Sequence, residues 1–409
     1  MATSRTLTGR GIVLLALGAV LIGCTQPLGL LPGGQGIALD EASVTSAEAP
    51  ASEPPTFTPS LAPELPQATP TATEVPTATA TPTPAPLGPT FARAIDPLTG
   101  LAVDDPALLE RRPMGIKVSN FPRSLRPHTG LSLADLVFEY YTEEGMTRFL
   151  AFYLGHDAPK VGPMRSVRLV DGQLVKMYNG ILGFVGGDPF VLGRVIGMIG
   201  SSRAFSQSPS TCPAICREGN GNVNSVFADT AELTGLAKSQ GAQDLNGMVF
   251  SNEPPPGGVP GTRLHVQFSY GARAEWRWNS DLGAYQRWSE DLVNGQIVME
   301  PLTDRLTEEQ IRSTNVVVAY AWYARGSGNE KYNIEFVYRK RGRAQVFRDG
   351  RMYEGFWLAE DSTSPLQFID SAGNPLPLTP GATWIEVVGE NSTPTETAPG
   401  EWNVRFRFP

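Results

Sequence analysis

Residues 50–90 are built mostly from Pro, Thr, Ala and Glu, with Phe57 as their only aromatic residue. No packed core can form from such a stretch, because its apolar surface is too small to offset the entropy of ordering the backbone. Proline holds the chain in extended polyproline II segments, so the tract reads as a semi-rigid spacer. The expectation is a disordered Pro/Thr-rich linker over 24–92, which reaches about 200 Å if fully extended and about 45 Å if coil-like. Its many threonines beside prolines suit O-linked sugars. Folded structure must then come from the remainder of the 409 residues.

Ahead of the spacer, Arg5 and Arg10 precede an uncharged run over 11–23 that closes as Leu21-Ile22-Gly23-Cys24. A cationic start, a short apolar segment and small residues before a cysteine are the parts of a bacterial lipoprotein signal, here residues 1–23. The run falls short of the roughly 20 residues that a membrane-spanning helix needs. The sequence therefore predicts cleavage before Cys24 and acylation of its thiol and new amino group, with palmitate among the chains. More than one chain gives stable anchoring, so the expected location is the extracytoplasmic face of the cell membrane.

Asp and Glu number 41 against 33 Lys and Arg, a formal net charge of −8, and the longest basic run is Arg339-Lys340-Arg341. That balance argues against a nucleic-acid partner, and the triplet reads as a solvated strand end. Besides Cys24 there are only Cys212 and Cys216, spaced CPAIC in a Pro/Gly/Ser-rich loop. An oxidising exterior favours a disulfide between them, with free thiols as the alternative; a metal site would need further ligands, and no histidine is near. No hydrolase elbow, zinc-protease motif or phosphate loop occurs, so no catalytic residue, cofactor or metal is expected.

Apolar runs place a buried strand at MGIKVSN (114–120), strands or a helix-to-strand pair at ADLVFEYYTE (134–143) and TRFLAFYL (147–154), a helix at VRLVDGQLVKMY (167–178), and a strand at 181–185. This alternation predicts a mixed α/β domain over 93–252. The breaker cluster SNEPPPGGVPG supplies an interdomain linker at 253–261. Beyond it, runs at 264–270, 274–279, 285–289, 315–324, 332–338, 343–350 and 383–388 predict a mostly antiparallel β domain over 262–409. The fold class expected is α+β. Trp276, Trp278, Trp288, Trp322, Trp357 and Trp384 read as packing residues rather than a ligand platform.

The run RPMGIKVSNFPRSLRPHTGLSLADLVFEYYTEEGMTRFLAFYLGHDAPKVGPMRSVRLVD (112–171) resembles the YerB-like bacterial lipoproteins, and Gly-Pro-Met-Arg-Ser-Val-Arg is its most specific part. Residues 342–388, with an Arg-Asp-Gly turn, a Gly-x-Trp step and a Pro-Gly-x-Thr-Trp-Ile finish, are similar to that family's carboxy-terminal domain. The resemblance implies a two-part envelope lipoprotein of unknown function. Where the family usually carries histidines, this chain has Phe184-Val185 before Gly186-Gly187, and Val223-Asn224 before Asp229.

The densest polar constellation is Asp135, Glu139, Glu143, Glu144, Arg148, Arg165 and Arg168. It reads either as an anion-binding or acid/base site, with Arg165 and Arg168 gripping a carboxylate or phosphate, or as an internal ion-pair network. The network is the favoured reading, because no nucleophile or metal cluster accompanies the carboxylates. His128 reads as a solvated loop histidine, and Gly186-Gly187-Asp188-Pro189 as an anion-binding turn at a helix start. Function is expected to be a non-catalytic binding or regulatory module near the cell wall, meeting a wall polymer or an envelope protein. The alternatives are an enzyme acting on a wall glycan or peptide through Glu or Asp with Arg165 and Arg168, and a lipoprotein that delivers a small anion.

Overall fold

Runs that are apolar on both faces must lie inside a sheet covered on two sides, whereas alternating runs need only one covered face. MGIKVS, TRFLAFY and TWIEVVG are of the first kind, and every residue in them is buried. The computed structural model describes residues 94–219, 221–238, 241–326 and 332–408; the expected export signal, Cys24 and the whole expected Pro/Thr linker over 24–92 fall outside them.

The first half contributes β1 (Met114–Ser119), β2 (Leu136–Tyr141), β3 (Thr147–Tyr153), α1 (Leu169–Met177), β4 (Ile181–Phe184), α2 (Pro189–Ile199), β5 (Ala204–Ser206), β6 (Ile215–Arg217), β7 (Val226–Ala228) and α3 (Thr230–Ala237). A tight turn joins β2 to β3, with Glu144 and Gly145 both at positive φ. Helix α2 begins at Pro189 behind Asp188, whose carboxylate accepts from the amides of Phe190 and Val191. Proline at the first helical position and aspartate at the cap are the expected start signals. Its buried Val191, Val195 and Ile199 recur every fourth residue and face α1, where Gly172 leaves room for Val195 and Met198.

The second half is all strand: β8 (Val259–Pro260), β9 (Arg263–Gln267), β10 (Arg273–Asn279), β11 (Ala284–Val293), β12 (Gln296–Pro301), β13 (Arg312–Ser313), β14 (Asn315–Arg325), β15 (Tyr332–Glu335), β16 (Arg341–Arg348), β17 (Arg351–Leu358), β18 (Gln367–Ile369), β19 (Thr383–Gly389), β20 (Thr393–Ala398) and β21 (Glu401–Arg405). Strand predominates over helix, within an α+β arrangement.

The larger sheet runs β18-β17-β16-β14-β19-β2-β3-β1-β4-β5, with β15 and β8 on its flanks. Strand β19 lies parallel to β14 on one side and to β2 on the other, pairing Ile385 with Val317 and with Phe138. Strands from both sides of 253–261 thus share one sheet and one compact unit. The smaller sheet runs β12-β11-β10-β9-β21-β20, with β13 beside β11. The two sheets meet through aromatic side chains: Trp384 of β19 sits edge-on to Trp276 of β10 at 5.2 Å and to Phe149 of β3 at 5.3 Å.

Three charges are enclosed with these rings. Glu139 of β2 and Glu386 of β19 are cross-strand neighbours, and Arg287 of β11 reaches both from the smaller sheet, at 2.6 and 2.5 Å. Trp276 Nε1 donates to Glu386 at 2.7 Å, and Thr147 Oγ1 donates to Glu139 at 2.7 Å. The Arg287 guanidinium lies 5.0 and 5.2 Å from the Trp276 and Trp384 ring centres. All three charged residues are at most 1% exposed. Burial and the adjacent Glu139 push the Glu386 carboxyl up to about 8.

Removing one member of a buried ion network strands the others without compensation, which costs about 3–5 kcal/mol. Arg287→Leu is expected to lose stability on that scale in urea unfolding. Adding Glu139→Gln and Glu386→Gln should recover part of the loss, because amides of the same shape remove the stranded charges.

Candidate functional site

Strands β1 and β4 run parallel, and the segment 162–167 wedges between their carboxyl ends before entering α1. The Arg165 amide donates to the Lys117 carbonyl at 2.9 Å, the Val185 amide to the Arg165 carbonyl at 3.0 Å, and the Val167 amide to the Gly186 carbonyl at 3.1 Å. In open α/β sheets, this carboxyl edge of parallel strands is where ligands bind. The motif Gly-Pro-Met-Arg-Ser-Val-Arg supplies the wedge.

Behind the wedge lies a buried cluster that the sequence reading missed. Lys117, from the middle of β1, lies 3.1 Å from the Asp171 carboxylate of α1, and the Tyr140 hydroxyl of β2 bonds to both. Asp171 also accepts from the Arg168 amide at 2.6 Å, closing the first turn of α1. Lys117 and Asp171 are fully buried. Burial drives the Lys117 amine down to about 7, against the pull of Asp171. The signals were present as a lysine inside MGIKVS and an aspartate inside LVDGQLVKM, each in an apolar run. With no exposed surface, this cluster fixes α1 against the sheet and offers no group to a substrate.

The predicted constellation divides into separate networks. Glu143 forms a two-oxygen pair with Arg168 and approaches Arg148 at 3.6 Å, and Arg148 also donates to the Ser166 carbonyl at 2.7 Å. Arg165 lies in this region half-exposed, with no side-chain partner among the described residues. Glu139 belongs to the Arg287 network between the sheets. Asp135 lies elsewhere, accepting from the amides of Leu154 and Gly155 at 2.6 and 3.2 Å and lying 3.3 Å from His156 Nδ1. Glu144 points into solvent at the β2–β3 turn. No two of Asp135, Glu139 and Glu143 share a network.

Two other expectations, for His128 and for the Gly186-Gly187 turn, are corrected. His128 is fully buried rather than solvated, with Nε2 2.8 Å from the Ser119 carbonyl and its ring edge-on to Phe149. Its loop is drawn inward by Asp304, which accepts from the amides of Gly130 and Ser132 at 2.9 and 2.8 Å. Burial and nearby Arg126 push the imidazole down to about 3, so it stays neutral. The turn at Gly186-Gly187 does not present a vacant anion site, because Asp188 itself occupies the start of α2. Cys212 and Cys216 are joined as a disulfide with Cα atoms 4.9 Å apart. Among the described residues, no group of His, Cys, Asp and Glu is arranged to hold a metal, and no helix is long and apolar enough to cross a membrane.

Asp96 packs against Gly155, whose amide binds Asp135, so two buried carboxyls lie close together. Burial and the Asp135 charge push Asp96 up to about 8, and burial pushes Asp135 up to about 7. Both values exceed the usual 3.9 or so of an unfolded aspartate. The folded state therefore keeps protons that the unfolded state releases between about pH 4 and 8, and the associated stability is lost as pH rises through the folded values. Glu386 acts in the same direction, whereas His128 and Lys117, both lowered by burial, act against these three carboxyls and reduce the slope without reversing it. Urea unfolding from pH 5 to 8 should show stability falling with pH, and Asp96→Asn should flatten that slope.

Comparison with known proteins agrees with this architecture. Residues 98–243 match the N-terminal domain, and residues 264–385 the C-terminal domain, of the family described as Protein of unknown function (DUF3048). YerB of Bacillus subtilis (strain 168), provisionally named a lipoprotein, is 24% identical over a 310-residue alignment that covers 71% of this chain and 85% of YerB. The crystal structure of Bacillus subtilis YerB superposes with a TM-score of 0.58 at 24% identity, covering 72% of this chain and 96% of that one, and so shares the fold. Two adjoining family domains over most of the described chain, together with that fold, make this protein a member of the YerB-like DUF3048 family.

Proposed function

We propose that the protein is a lipid-anchored module on the extracytoplasmic face of the membrane that binds or regulates an envelope component and does not catalyse a reaction. The observation that carries this reading is the sequestration of the acidic groups. Glu143 is held by two arginines, Glu139 is enclosed between the sheets, and Asp135 is committed to backbone amides. A general acid or base must reach a substrate proton directly or through one water, and none of these three has that freedom. A hydrolase built on a carboxylate pair also needs its two acids facing one bond. Here they lie in different networks.

The anchor is inferred from Leu21-Ile22-Gly23-Cys24 and from the provisional name of the Bacillus subtilis relative. The spacer then gives the folded unit reach, as a protein seeking a wall polymer or an envelope partner requires.

Cell fractionation with palmitate labelling tests this reading. The native chain should partition with membranes and take up label, whereas Cys24→Ala should lose the label. An unlabelled native chain, or label retained by Cys24→Ala, would overturn the anchor. Arg165→Ala should change stability by no more than about 0.5 kcal/mol, as expected for a side chain without partners. Arg168→Ala should cost more in the same unfolding assay, because it leaves Glu143 half-buried with only Arg148.

A further inference from the structure

The basic triplet is exposed, as a solvated strand end should be, and its two arginines lie over aromatic rings. After β15 the chain turns through 336–339, the Lys340 amide donates to the Phe336 carbonyl at 2.8 Å, and Lys340 takes a φ of 61°. This brings Arg339 and Arg341 to the same groove as Arg343 of β16. Each guanidinium stacks on a ring: Arg339 on Trp322 at 4.4 Å, Arg341 on Phe356 at 3.8 Å and Arg343 on Tyr320 at 4.2 Å. The rings belong to β14 and β17, the neighbours of β16 on either side. The space above them is about 440 Å³, and a second recess of about 190 Å³ shares Tyr320, Arg343 and Phe356 with it.

We propose that this groove binds a phosphodiester polyanion, the chemistry of a phosphate-linked wall polymer. The assignment rests on the binding-module reading and gives it a ligand class and a place. A guanidinium over a ring is held in place by the cation–π contact, and its N–H groups that lack a protein partner can donate to a phosphate. In the first recess three such groups face one lining carboxylate, Glu390, which approaches Arg339 at 3.4 Å across a partly exposed pair; Glu354 lines the second recess. Arg343 donates to the carbonyls of Glu390 and Ser392 at 3.1 and 2.8 Å. The Arg341 amide donates to the Arg339 carbonyl at 2.7 Å, and its guanidinium has no hydrogen-bond partner among the described residues. The patch is therefore locally positive in a chain of net charge −8.

The shape favours a thread over a single ion. One phosphate satisfies one guanidinium, whereas a chain of phosphates can engage several in turn. Arg341 and Arg343 stand two residues apart on one strand, roughly 6.7 Å, which is comparable to the spacing of phosphates across a three-carbon bridge. A headgroup on a flat bilayer cannot follow such a groove, so the polymer is the assigned source.

The full chain in neutral detergent micelles, titrated with poly(glycerol phosphate), tests the assignment. Arg341→Ala should weaken binding about tenfold, the scale of one lost charge-assisted contact. The slope of log affinity against log salt should flatten by about one for each arginine removed. Arg341→Lys should fall between the two, because it keeps the charge but loses the fork. An unchanged urea midpoint in Arg341→Ala would show that the fold survives. Inorganic phosphate should bind far more weakly than the polymer at equal phosphate. Equal binding by native and Arg341→Ala chains, or no binding, overturns the groove assignment. Equal competition by phosphatidylglycerol doped into the micelles overturns the polymer as its source. Membrane partition reads the anchor separately, so the two readings can fail independently.

Discussion

The enclosure of Arg287 between Glu139 and Glu386 sets the terms for the whole fold. One member comes from β2, one from β19 and one from the smaller sheet, so the charges are satisfied only when both halves of the larger sheet have joined and the smaller sheet has docked. An apolar contact tolerates small slips, but a buried ion pair with two fixed oxygens does not. A one-residue register error in β19 would turn Glu386 to the opposite face and leave Arg287 with a single partner. The Trp276 indole, bonded to the same carboxylate, fixes the approach of β10 as well.

Charge enclosure also organises the first half. Lys117, Tyr140 and Asp171 tie β1, β2 and α1 together, while Arg168 joins α1 to the β2–β3 turn through Glu143. The arginines of the Gly-Pro-Met-Arg-Ser-Val-Arg motif thus differ in their engagement: Arg168 is paired with Glu143, and Arg165 is half-exposed. A motif can be specific to a family because it holds a wedge of backbone between two strands, without any part in chemistry.

Much of this was legible in the sequence where apolar runs were long. Strands β1, β2, β3, β10, β14 and β19 and helix α1 lie where periodicity places them. Short or polar strands were not legible. TPTETA forms β20 although nearly every residue faces solvent, because its hairpin with β21 supplies the order. The sharing of one sheet across 253–261 was also hidden, since pairing of β19 with β2 joins residues far apart in sequence. His128 illustrates the same limit at a single residue: its burial is set by Asp304, more than 170 positions away. Arg339 and Arg341 needed the left-handed turn at Lys340, which composition does not announce.

The insertion of β19 between β14 and β2 has a consequence for how the chain reaches its folded state. Synthesis proceeds from the amino terminus, so β2 and β3 are complete long before the strand that covers the outer side of β2 exists. Until residues 383–389 arrive, β2 presents an unpaired row of amides and carbonyls along an apolar edge, a template for pairing with another chain. Long-range parallel pairing is also slow, because the loop must close before any contact compensates. A cell making this protein therefore has reason to keep the chain unfolded until it is complete, a need that the export proposed above would meet if the chain crosses in an extended form.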